Sequence, residues 1–234
     1  MTYVAATAGG LIARLRGRRG DRWRTAVFQQ ASKIISGIMG MRVKVTGEPP
    51  EAPFVLVSNH LSYVDVILIG SQVRCVFISK AEVQDWPLIG SIVRSLGTLF
   101  LDRDVKRTLP QMVKSMEEVL ESGRGVVFFP EGTTGRGDRV APFRPSLLEP
   151  AVRSQRPVHY ASVTYRTREE CLPAERAICW WGDMKFMSHI VQLLAMPGFD
   201  ASLTFGTEAI RAGDRKVLAT RLHHAIEQQF EAVG

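Results

Sequence analysis

With 234 residues, 45% of them hydrophobic and 23% charged, the chain is long enough for one sizeable core and has an ordinary globular composition, which excludes the disordered and fibrous classes. Thirty Lys and Arg against 23 Asp and Glu leave a formal charge of +7, so the favoured partners are anionic: nucleic acid, an acidic membrane surface or phosphorylated substrates. The cysteines Cys75, Cys171 and Cys179 form no Cys-x-x-Cys pair, which argues against a zinc site or a disulfide framework and for a reducing compartment.

The N-terminal apolar run, Tyr3 to Ala13, precedes its arginines, the reverse of a secretory signal. Arginines then crowd residues 14 to 24 (Arg14, Arg16, Arg18, Arg19, Arg22 and Arg24), opposed by Asp21 alone. Val27, Phe28, Ala31, Ile34, Ile35, Ile38 and Met39 follow at helical spacing. A basic stretch joined to an amphipathic helix suits an interfacial anchor, and the same residues also suit a helix packed on the core with a solvated basic arm. The longest apolar stretch, Ala26 to Met41, is interrupted by Gln29, Gln30 and Lys33 and does not suit a spanning helix.

From Met41 onward, short β-branched runs alternate with helical patterns. Strands are predicted at Arg42–Thr46, Phe54–Ser58, Cys75–Ser79, Thr98–Leu101, Gly125–Phe129, Val158–Tyr165 and Ala201–Phe205. Helices are predicted at Ser62–Ser71, Leu88–Ser95, Val105–Ser122, Ser146–Ser154, Phe186–Ala195 and Arg215–Ala232. The expected fold is α/β: a mixed, largely parallel central sheet flanked by helices, with an N-terminal amphipathic helical segment. Ligand sites in such sheets lie beyond the carboxyl ends of the strands. Residues 1–41 are expected to contact membrane, and residues 42–234 to form the domain proper.

Three constellations carry chemistry. Asn59-His60-Leu61-Ser62-Tyr63-Val64-Asp65 follows a buried strand and crosses the start of a helix. His60 there is a candidate general base, with Asp65 folding back to hold the other ring nitrogen. Ser62-x-x-Asp65 is also a helix-capping box, in which both side chains only satisfy free N–H groups. Because no Gly-x-Ser-x-Gly elbow accompanies the histidine, the attacking oxygen is expected to come from the substrate.

The second constellation, Val126 to Gly137, is an apolar strand breaking into a glycine-rich loop that begins Pro130-Glu131-Gly132-Thr133. Its glycines admit a negatively charged oxygen to backbone N–H groups, and Glu131 is suited to grip an acceptor hydroxyl or position a base. A surface turn accounts for the glycines equally well. In the third, Lys80 and Arg103 each follow a predicted strand, and both can reach one rim to bind a phosphate. His159, His189, His223 and His224 lack metal-ligand spacing and are assigned structural or surface roles. Trp180-Trp181 suits core or a membrane-contacting patch.

Taken in order, these segments resemble the glycerolipid acyltransferase family, whose best-known members are bacterial 1-acyl-glycerol-3-phosphate acyltransferases. His60 and Asp65 look like its histidine-four-residues-aspartate motif, Lys80 through Gly97 to Arg103 like its second motif, and Phe129-Pro-Glu-Gly-Thr133 like its third. The likeness runs from about Val57 to Tyr165, close to half the chain.

It implies His60 and Asp65 as catalytic residues and Lys80, Arg103, Glu131, Gly132 and Thr133 as substrate-binding ones. It also implies an acyl-carrier-protein or acyl-CoA thioester as co-substrate, with no cofactor and no metal. The expected activity is O-acylation of a lysophospholipid, 1-acyl-sn-glycerol-3-phosphate first, on the cytoplasmic face of a membrane. Membrane lipids and the thioester carrier are the expected partners, and nucleic acid is not.

Two departures are visible: Thr134 stands where phosphatidate-forming members carry arginine, and Tyr160 where a fourth motif carries proline. The first keeps an acceptor without that phosphate, such as a lyso-ornithine lipid, in contention. A lipid hydrolase using His60 on water and a non-catalytic membrane-binding protein are the rival classes.

Overall fold

The computed structural model describes residues 18–86, 89–101 and 108–234. Seven strands form one sheet: β1 (Met41–Thr46), β2 (Val55–Ser58), β3 (Cys75–Lys80), β4 (Leu99–Leu101), β5 (Gly125–Phe128), β6 (Val158–Arg166) and β7 (Phe199–Phe205). Their order is β1-β7-β6-β2-β5-β3-β4. Every pairing is parallel except β6 with β7, so β1 and β7 run against the other five. The sheet is mixed and largely parallel, as expected, and all seven strands were foreseen to within two residues.

β2 and β5 are buried throughout, and side chains alternate between two cores, as a strand's period of two requires. Leu56, Phe77, Val163, Tyr165 and Leu203 face one core; Val55, Val57, Val76, Val126 and Phe128 face the other. The second face is covered by α4 (Thr108–Glu121), α5 (Pro145–Arg153) and α8 (Arg215–Gln229), through residues such as Met116, Leu148 and Leu222. The first is covered by α1 (Arg18–Ile38) and α2 (Val64–Gln72), and α7 (Phe186–Leu194) contributes His189 and Leu193 to the interior. A seven-residue α3 (Ile89–Ser95) and a four-residue α6 (Ala174–Ala177) complete the α-helices of the described residues, and a 3-10 turn spans Ala81–Asp85.

α1 packs on the core through Phe28, and Met39, just after its end, joins the same core. Gly70 of α2 makes room for it: a Cβ at Gly70 would lie 2.5 Å from the Phe28 ring. Ile34 and Ile38 stay exposed on its other side. Among the described residues no helix is long and apolar enough to cross a membrane. α8 ends at Gln229, three residues before the predicted end, because the tail finds tertiary partners instead: Val233 N–H donates to Gly137 O (2.9 Å) and Gly234 N–H to Tyr165 O (3.2 Å).

Candidate active site

β2, β5 and β3 are neighbours, so the residues that leave their carboxyl ends share one rim. Just beyond β2, the buried amide of Asn59 replaces the sheet ladder, donating to Val163 O (2.9 Å) and accepting from Val163 N–H (2.7 Å). That stitch to β6 fixes the point from which His60 departs, a role the sequence reading did not assign.

His60 Nδ1 lies 2.7 Å from Asp65 Oδ2. The same oxygen accepts the N–H groups of Leu61 (2.7 Å) and Ser62 (3.1 Å), and Oδ1 accepts the hydroxyl of Tyr165 (2.6 Å). Asp65 and Tyr165 are fully buried. A carboxylate accepting from all these donors requires the ring proton to sit on Nδ1, which leaves Nε2 as the basic nitrogen. The capping-box alternative is half realised. Asp65 does hold N–H groups near the helix start, but Ser62 Oγ has no hydrogen-bond partner among the described residues, and the N-cap residue, Tyr63, makes no side-chain cap.

The loop after β5 grips the histidine from behind. Glu131 is 3% exposed; its carboxyl accepts the N–H of His60 (2.9 Å) and that of Ala141. Gly135 N–H donates to His60 O (2.8 Å), and Phe129 stacks on the imidazole with 3.9 Å between centroids. Gly132 makes the turn at φ +74°, a conformation that favours glycine, and its N–H returns to Phe129 O (3.1 Å). The Glu131 carboxyl thus holds the backbone of His60 and is not among the residues that line the neighbouring cavity.

Burial pushes the Glu131 carboxyl up to about 8, with the nearby Asp65 charge adding to the effect and the two N–H bonds opposing it. An acid raised in this way holds a proton in the native state that the unfolded chain releases, so the native state binds more protons between the ordinary value of 4.5 and about 8. Wild-type stability is therefore expected to fall as pH rises through that window and to level off above it. Glu131→Gln should flatten the slope by up to about 1.4 kcal/mol per pH unit, measured by urea unfolding from pH 5 to 9. Equal slopes for the two proteins would contradict the assignment.

His60, Gly132, Thr133, Thr134 and Lys80 line a cavity of about 300 Å³ whose other walls include Phe77, Val83, Trp86, Trp180 and Trp181. Trp180 and Trp181 thus belong to a cavity wall, which their pairing in the sequence did not indicate. Each indole N–H is held by a carbonyl, that of Met184 (2.8 Å) and that of Glu175 (3.0 Å). Arg136 lies over the Trp181 ring at 4.5 Å and donates two bonds to Glu175 (2.9 and 2.5 Å). Lys80 lines the cavity, whereas Arg103 lies outside the described residues. The cavity is lined mainly by apolar side chains and takes in the His60 imidazole, a setting suited to an acyl chain and a reacting oxygen.

The Acyltransferase family model matches residues 42–164, just over half of the chain. The chain belongs to the Acyltransferase family. The chain is 32% identical to the lyso-ornithine lipid O-acyltransferase of Rhodobacter capsulatus over 74% of its own length and 63% of that protein's, so the match spans a little under two thirds of that relative. It is 30% identical to the 1-acyl-sn-glycerol-3-phosphate acyltransferase of Neisseria meningitidis over 54% of this chain and 50% of that one. The crystal structure of the 1-acyl-sn-glycerophosphate acyltransferase PlsC from Thermotoga maritima superposes with a TM-score of 0.66 at 22% identity, covering 97% of this chain and 90% of that one. This likeness bears on the fold, which is the one expected from the sequence.

Proposed function

We propose that the protein moves a fatty acyl group from an acyl-carrier-protein or acyl-CoA thioester to the hydroxyl of a lyso-lipid at a membrane surface. The observation that carries the reading is the His60–Asp65 pair, 2.7 Å apart, at an apolar cavity that also takes in Gly132 and Thr133. The acceptor hydroxyl gives its proton to His60 Nε2 as its oxygen attacks the thioester carbonyl. The tetrahedral intermediate expels the thiolate, which takes the proton from Nε2. Ester and free thiol leave, and the histidine is restored. Asp65 steadies the imidazolium, and Lys80 attracts the acceptor's anionic group. Most of the acceleration comes from positioning plus base assistance, the latter typically about 100- to 10,000-fold.

For the acceptor, lyso-ornithine lipid is favoured over 1-acyl-sn-glycerol-3-phosphate. Thr134, at the position where phosphatidate-forming members carry arginine, lines the cavity without offering a charge. The nearest following arginine, Arg136, is engaged by Glu175 and Trp181, and a phosphate monoester is best matched by a bidentate guanidinium that is not so engaged. The relative in Rhodobacter capsulatus carries the corresponding name. The two acceptors offered separately with a labelled thioester test the proposal. Labelled ornithine lipid formed faster than labelled phosphatidate is expected. Free fatty acid as the sole product would replace acyl transfer by hydrolysis.

A further inference from the structure

α7 has no charged residue in Phe186–Leu194, yet Met187, Val191 and Leu194, one face at helical spacing, are between 51% and 66% exposed. Its other face is buried and tied to the catalytic segment. His189 Nε2 donates to Cys179 O (3.1 Å), which leaves Nδ1 to accept the hydroxyl of Tyr63 (2.9 Å), three residues after His60. Phe186 packs its ring against Tyr63 (5.0 Å), Trp86 (5.9 Å) and Trp180 (6.1 Å), the last two of which line the cavity. Phe186 therefore links the helix that carries the exposed stripe to the aromatic wall of the cavity.

A second apolar surface joins it. The segments that follow α1 and α7 meet at Gly40 and Gly198, where Phe199 N–H donates to Gly40 O (3.2 Å) and a Cβ on Gly40 would lie 2.8 Å from Gly198 Cα. Ile38 and Leu194 each lie within four residues of that contact, and Ile34 and Ile38 are 57% and 70% exposed. Exposed Lys33, Arg42, Arg176 and Lys185 lie close in sequence to these apolar residues, against the exposed acids Asp183 and Asp200, the latter paired with Arg42 (2.6 Å). An uncharged stripe with a mainly cationic border complements an anionic bilayer surface, with the apolar groups sinking in and the cations meeting headgroups.

We propose that α7 is a membrane-docking helix. It lies in the plane of the bilayer surface with Met187, Val191 and Leu194 inserted beside Ile34 and Ile38 of α1, and it presents lyso-lipid to the aromatic wall of the cavity. At nine residues, or about 14 Å, it lies on a leaflet and does not cross one. The delivery role rests on the lyso-lipid reading; the docking surface does not.

The full chain and its Met187→Glu/Val191→Glu double variant are compared by co-sedimentation with phosphatidylcholine/phosphatidylglycerol vesicles. Binding is expected to weaken at least about tenfold, and acylation of vesicle-borne lyso-lipid to fall with it. Turnover of a short-chain, water-soluble acceptor should stay unchanged. In a separate Val191→Trp variant, the added tryptophan emission should shift to the blue when vesicles are added. Wild-type vesicle binding by the double variant, or no emission shift in V191W, overturns the proposal. A wild-type dimer that the double variant dissolves also overturns it, because the stripe then belongs to a second copy of the chain. Vesicle binding lost in the double variant, from a wild type that transfers no acyl group, keeps the docking surface and refutes the lyso-lipid reading.

Discussion

Replacing His60 by alanine is expected to slow acyl transfer by about 100- to 10,000-fold, the range of a lost general base, with little change in melting temperature. The split between activity and stability follows from the geometry. The imidazole is partly exposed at the cavity, so removing it takes the proton acceptor from the reacting oxygen. Asp65 keeps three other donors, Leu61 N–H, Ser62 N–H and the Tyr165 hydroxyl, so the buried carboxylate is still satisfied. Steady-state kinetics with a soluble thioester, paired with thermal melts, measure both halves. Loss of activity together with loss of fold would show that the histidine is structural.

Asp65 predicts the opposite split. It is fully buried, and Asp65→Ala abandons His60 Nδ1, the Tyr165 hydroxyl and two backbone N–H groups at once. Each unsatisfied buried group costs about 1–3 kcal/mol in a protein whose total stability is about 5–15 kcal/mol, so this variant should melt far below wild type or fail to fold. Asp65→Asn keeps the shape and replaces an acceptor oxygen with an N–H donor. The imidazole then loses the partner that fixes its tautomer, and kcat should fall on the order of 10,000-fold. KM should change little, because Asp65 does not line the cavity. Tyr165→Phe is the graded control: it withdraws one of the donors and should cost about 1 kcal/mol of stability and much less activity. A D65N enzyme within tenfold of wild type would remove Asp65 from the mechanism.

The contrast between what could and could not be read from the sequence has a physical basis. Strand positions were legible because Val55–Ser58 and Gly125–Phe128 are buried on both faces and so must be apolar without interruption. The reversed direction of β1 and β7 was not, since it depends on which edges pair rather than on local pattern. His60 with Asp65 was legible because the partners are five residues apart across one helix start. Tyr165, 100 residues from Asp65, and Asn59, 104 from Val163, gave no local signal, because both contacts join the segment after β2 to β6, far along the chain. Trp180 and Trp181 were read as core or membrane patch; only the fold brings them opposite Phe77 and Lys80. The α1 stripe satisfied both of its readings in part, with Phe28 and Met39 in the core and Ile34 and Ile38 in solvent.

The central claim is that the acceptor's own oxygen attacks the thioester, with no acyl group resting on the protein. The most direct measurement is intact-protein mass after mixing enzyme with an acyl thioester, first without acceptor and then with lyso-lipid. Unmodified enzyme in both samples, with thiol released only once the hydroxyl acceptor is present, is the predicted result. A covalently acylated protein that forms without acceptor and discharges when lyso-lipid is added would contradict it.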